Sequence, residues 1–127
     1  MNKICTDLEQ SKKLIELGID VYTADMYWKN GVSDKYIQCF TPFVSSSTDI
    51  DYNYDIPAWS LSVLLNIIPK HIKEYNTLRI DIGEKDFSIW YDDIGHGVNT
   101  ELPDITMENP VDACVEMIVK LNELKML

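Results

Sequence analysis

Between Thr77 and Asp93 apolar and polar residues alternate. Leu78, Ile80 and Ile82 are separated by Arg79 and Asp81, and beyond "GEKD" the apolar positions become Phe87, Ile89 and Tyr91. A period of two suits a strand with one buried face, so the stretch predicts a β-hairpin. Pairing Ile82 with Phe87 across the four intervening residues sets Ile80 against Ile89 and Leu78 against Tyr91, all on one face. The same register puts Arg79 opposite Trp90 on the other face, as a cation–π pair. With all six apolar side chains inside, Ile80→Ala is expected to cost about 2 to 5 kcal/mol and Thr77→Ala little.

Two stretches carry helical periodicity instead. Thr6 and Glu9 have the spacing of a capping box, and Ile4, Leu8, Leu14 and Ile15 recur on one face before Gly18, a natural stop; this predicts a first helix of about three turns. "NPVD" announces a last helix, with Asn109 as cap, Pro110 at the first helical position and Asp112 near the positive end of the dipole. It should run to about Leu124. Ala113, Cys114, Met117, Ile118, Leu121 and Leu124 share its apolar face, with Asp112, Glu116, Lys120 and Glu123 opposite. Between these helices, Met26 and Trp28 alternate with Asp25 and Tyr27 as a strand that "KNG" ends. "YIQCFTPF", Tyr36 to Phe43, reads as a second strand closed by Pro42, and "SSSTDIDYNYD" as an exposed loop.

The most apolar run is "DIPAWSLSVLLNIIP", Asp55 to Pro69. Its apolar part is too short for the ~20 residues that span a bilayer, and it contains two serines and an asparagine. A helix starting near Pro57 would turn Ala58, Leu61, Leu64, Leu65 and Ile68 to the core, leaving Trp59, Val63 and Ile67 as a second stripe on nearly the other side. Either loops of the chain cover that stripe, or it is an interface for a homodimer or a docked partner helix. The order helix, two strands, helix, two strands, helix predicts one α+β domain over residues 1–127. It would have an antiparallel sheet of about four strands and three helices packed largely on one face.

Charge narrows the function. The 127 residues carry 21 acidic against 11 basic side chains, a net of −10, so phosphate backbones and anionic lipid would be repelled over most of the surface. Direct nucleic-acid binding and a membrane location are not expected. Nine of the acids fall between Asp81 and Asp112 against a single Lys85, a cluster that could mimic DNA's charge towards a basic partner or simply solvate the fold. Cys5, Cys39 and Cys114 are odd in number and widely spaced, which suggests neither a disulfide framework nor a zinc ribbon. Together with a polar start that lacks a signal-peptide stretch, this points to the cytoplasm. Cys114 falls mid-core and should be chemically inert.

Catalytic chemistry has few footholds. Ser60 and Ser62 lack the GxSxG setting of a nucleophile, and no P-loop, GxGxxG, HExxH or EF-hand loop is present, so no cofactor is expected. The best enzymatic stretch is "WYDDIGHGVNTELPD". Asp92, Asp93 and His96 lie together after a strand, where carboxylates and an imidazole could ligate a divalent metal or share acid and base work, with Glu101 or Asp104 as a further ligand. A small metal-dependent hydrolase is therefore the alternative to a non-enzymatic binding protein, and a solvated acidic loop is the plainer account of the same residues.

"TADMYW", "IPAWSLSVLLNIIP" and the closing "NPVDACVEMIVKLNEL" together resemble a family of short uncharacterised proteins from gut Bacteroidales, many of them encoded in phage-derived or other mobile regions. That family brings no catalytic residues. The resemblance implies an intracellular accessory protein of a mobile element and nothing about mechanism. A cytosolic interaction protein, with an acidic inhibitor as its variant, is the expected function.

Overall fold

The structure is a computed structural model that describes residues 3–32, 34, 36–38, 54–73, 75–93, 97–98 and 101–127. It is of the α+β class, with three helices and antiparallel strands among the described residues. The strands form two sheets rather than one, and the chain divides into two compact units, Lys3–Leu64 and Leu65–Leu127.

In the first unit, helix α1 (Leu8–Glu16) starts one residue later than its predicted box. Asp7 is the N-cap and Gln10 its partner: the Gln10 N–H donates to Asp7 Oδ1 at 2.8 Å, and the Asp7 N–H donates to Gln10 Oε1 at 3.1 Å. Asp7 and Gln10 satisfy the same spacing rule as Thr6 and Glu9, and Thr6 is fully buried in another role. Gly18 ends the helix at φ +88°, a value that glycine adopts without strain. Strands β1 (Met26–Trp28), β2 (Tyr36–Gln38) and β3 (Ile56–Ala58) form a sheet ordered β2-β1-β3.

β3 corrects the opening of the apolar run. Pro57 lies opposite Tyr27 in an edge strand, where its missing N–H is tolerated, and does not begin a helix. Helix α2 spans Leu61–Ile67 only. The predicted turn at "KNG" is a 3₁₀ turn over Lys29–Gly31, with Asn30 and Gly31 at positive φ. It is tied to the buried Asp55, whose carboxylate accepts the Asn30 N–H at 2.7 Å and faces Lys29 Nζ at 3.4 Å. Of the predicted strand at Tyr36 to Phe43, residues 39–43 lie outside the described residues, as does the predicted loop up to residue 53.

The second unit holds β4 (His71–Ile72), β5 (Asn76–Ile82), β6 (Phe87–Asp93), β7 (Gly97–Val98), β8 (Asp104–Met107) and helix α3 (Pro110–Glu123). β6 is the central strand: β5 lies on one side, β7 and β8 follow one another along the other, and β4 flanks one end of β5. α3 is capped by Asn109, which accepts from the Val111 and Asp112 N–H groups, and it packs on β6 and β8.

The hairpin register is as alternation predicts. Ile82 pairs with Phe87, Ile80 with Ile89, Leu78 with Tyr91 and Arg79 with Trp90. Burial is not symmetric across it. Phe87, Ile89 and Tyr91 are buried, whereas Ile80 is 40% and Ile82 79% exposed. A helix about 10 Å across covers roughly two strands spaced about 4.8 Å apart. Since α3 lies on β6 and β8, the far end of β5 extends beyond its shelter. Alternation identifies the face of a strand but not the width of its cover, so the expected heavy cost at Ile80 moves to its partner. We predict that Ile89→Ala costs about 2 to 5 kcal/mol in chemical denaturation and Ile80→Ala less than half as much; equal losses would contradict this burial gradient.

Candidate functional site

Asp92 and Asp93 end β6. Consecutive strand residues face opposite sides, so the two carboxylates do not converge. Asp92 shares the outer face with Arg79, whose Nε lies 3.7 Å away across a diagonal; this ion pair takes the guanidinium that alternation had set over Trp90. Asp93 belongs to the face of Tyr91 and Asn76. His96 lies outside the described residues. Glu101 faces Lys73 at 3.8 Å, and Asp104 stands opposite Trp90 on the outer face. Among the described residues, no three His, Cys, Asp or Glu side chains gather closely enough to hold a metal ion.

The opening run is anchored by Trp59, which is 0% exposed. Its indole N–H donates to Thr23 Oγ1 at 2.8 Å, its backbone N–H to Thr6 Oγ1 at 3.1 Å, and its carbonyl accepts the Thr6 N–H at 3.0 Å. Thr6 is the hub: its carbonyl also accepts Trp28 Nε1–H at 2.8 Å, and its hydroxyl lies 2.7 Å from Ser11 Oγ. Trp59 thus precedes α2 instead of riding on it, and its cover comes from the chain itself, the first of the two alternatives for that stripe. Val63 and Ile67 are half-buried. Ser60 is engaged structurally: its N–H and Oγ–H both donate to the Asp25 carboxylate, at 2.9 and 2.5 Å. Ser62 is exposed on α2.

Two thiols are buried. Desolvation, reinforced by the nearby Asp25 carboxylate and opposed by Lys3, pushes Cys5 up to about 11. Desolvation pushes Cys114 up to about 12 against a smaller opposing effect of Lys70. Both are protonated and unreactive near neutrality, as expected for Cys114. Burial also raises the Tyr91 phenol, whose hydroxyl donates to the Pro69 carbonyl at 2.6 Å.

The remaining exposed chemistry gathers at the loop end of the hairpin. Ile82 and the partly exposed Met107 flank the buried Phe87 in one cross-strand row. Beside them lies an open hollow of about 370 Å³ lined by Ile82, Phe87 and Pro110, with Glu84, Asp86 and Glu108 against the single Lys85. Sequence reasoning found the acids but missed the hollow and the exposed isoleucine. No local signal marked them, since both depend on how far α3 reaches across the sheet. No helix of the described residues is long and apolar enough to cross a membrane. No family model, curated protein or solved structure matches the chain.

The thiols yield a test with a definite sign. Their folded pKa values lie above the ordinary thiol value, so the folded state holds protons that the unfolded state has released. Their stabilising contribution is complete below about pH 9 and is lost as pH rises towards 11 and 12. Stability from urea titrations should fall between pH 9 and 11, with a shallower slope in Cys5→Ala/Cys114→Ala. An unchanged slope in that variant would show that the thiols are not responsible.

Proposed function

We propose that the chain is a non-enzymatic interaction protein that engages a basic protein partner through the acidic surface of Leu65–Leu127. The observation that carries this reading is the placement of the acids. Of the nine between Asp81 and Asp112, six are exposed: Asp81, Glu84, Asp86, Glu101, Asp104 and Glu108. The basic side chains near them are few: Arg79 is drawn to Asp92, outside the six, and Lys73 to Glu101. Like charges held on a folded surface raise the local potential and favour a cationic partner. The accessory role in a mobile element and a cytoplasmic location belong to the same proposal, as does the inhibition of a basic protein by charge mimicry.

Attraction between exposed charges is screened beyond a Debye length of about 10 Å at 0.1 M salt. Binding of a fluorescent oligolysine probe should therefore weaken by about tenfold or more between 50 and 500 mM salt. It should also weaken in the triple variant Glu84→Gln/Asp86→Asn/Glu108→Gln. Equal affinity at both salt concentrations would sink the proposal.

A further inference from the structure

Among the described residues, the outer edge of β5 is open where its side chains are most exposed. Along an antiparallel ladder, the backbone groups of alternate residues point to opposite neighbours. The Gly83 N–H donates to the Asp86 carbonyl at 2.8 Å and the Leu78 N–H to the Lys70 carbonyl at 2.8 Å, which fixes the phase. Arg79 and Asp81 turn their backbone groups to β6; Leu78, Ile80 and Ile82 turn theirs away from it. β4 meets β5 only at Asn76 and Thr77, and Lys70 continues to Leu78. Among the described residues, then, nothing pairs the outward N–H and C=O groups of Ile80 and Ile82.

We propose that this edge binds an extended, basic segment of a partner protein by strand addition. The segment pairs with Ile80 and Ile82, sets apolar side chains against theirs on one face, and directs lysine or arginine to Asp81 on the other. At the loop end, its cations meet Glu84, Asp86 and Glu108 around the hollow. Main-chain hydrogen bonds supply affinity, and the alternating side chains supply selection. This inference rests on the acidic-surface reading and locates it at one edge.

A second copy of the chain fits the edge poorly. Pairing Ile80 with the copy's Ile82 makes Asp81 face its own counterpart in a close non-hydrogen-bonded pair, where like charges repel. Moving the two-fold to Ile80 would set Arg79 against Asp81, but it needs the Leu78 N–H that Lys70 already occupies. Shifting it the other way runs the pairing into the hairpin loop. The edge is therefore selective against itself and complementary to a cation.

The test is titration of the isotope-labelled chain at 50 mM salt with an eight-residue peptide of alternating lysine and valine. A peptide of the same composition in two blocks and one of alternating glutamate and valine serve as comparisons. Amide exchange at Ile80 and Ile82 should slow by about tenfold or more with the alternating basic peptide alone. Binding should weaken by about tenfold in Ile82→Lys, whose site is 79% exposed and tolerates the change, and in Ile80→Pro, which removes an N–H outside the β6 ladder. If both basic peptides bind equally and leave these amides unprotected, strand addition is wrong and the acidic surface stands. If neither binds, both readings fall. Self-association that Ile82→Lys abolishes would make a second copy the occupant and overturn the proposal.

Discussion

One helix covers two strands. That constraint governs the unit formed by Leu65–Leu127, because α3, the one long helix among its described residues, lies over β6 and β8. Under it, Phe87, Ile89, Tyr91 and Ile105 meet Val111, Cys114, Met117, Ile118 and Leu121 as a buried apolar layer. Away from it, β5 carries the same alternation out into water. The fold tolerates this because β5 is held by a full ladder to β6 and needs no second layer of its own for pairing. The consequence is a strand with a fixed inner neighbour and, among the described residues, an unfinished outer edge.

The Lys3–Leu64 unit solves a different problem. Among the described residues its sheet is three strands of three residues, and the indoles of Trp28 and Trp59 find their acceptors outside the strand ladder. Buried donors need partners, since an unmet one costs about 1 to 3 kcal/mol. Thr6 meets two of them, the Trp59 N–H through its hydroxyl and the Trp28 indole through its carbonyl, and its own N–H is met by the Trp59 carbonyl. One buried residue thereby joins the entry to α1, the end of β1 and the exit from β3. Asp25 and Asp55 act similarly on Ser60 and on the Lys29–Gly31 turn.

What the sequence made legible follows the range of each signal. The hairpin register and the start and length of α3 depend on local pattern, and both were readable, down to Asn109 and Pro110, although Leu124, expected on the buried face, is 43% exposed. The capping box was right in kind and one residue off, since "TDLEQ" satisfies the spacing twice. "DIPAWS" misled because a proline before an apolar run has the look of a helix start, while its pairing with Tyr27 lies 30 positions away in sequence. The Asp92 and Asp93 pair looks like a site only if the strand stops short of it; β6 runs to Asp93, and the two carboxylates part. The exposure of Ile80 and Ile82 depends on the width of α3 against the sheet, a tertiary quantity that no local pattern contains.

The central claim is that the β5 edge is open in the isolated chain, and residue-resolved amide hydrogen exchange reads it directly. The alternating direction of the backbone groups predicts alternating protection: slow exchange at Arg79 and Asp81, whose amides face β6, and exchange at least about a hundredfold faster at Ile80 and Ile82. Uniformly slow exchange from Arg79 to Ile82 would contradict the account, because it would mean that the edge is already paired.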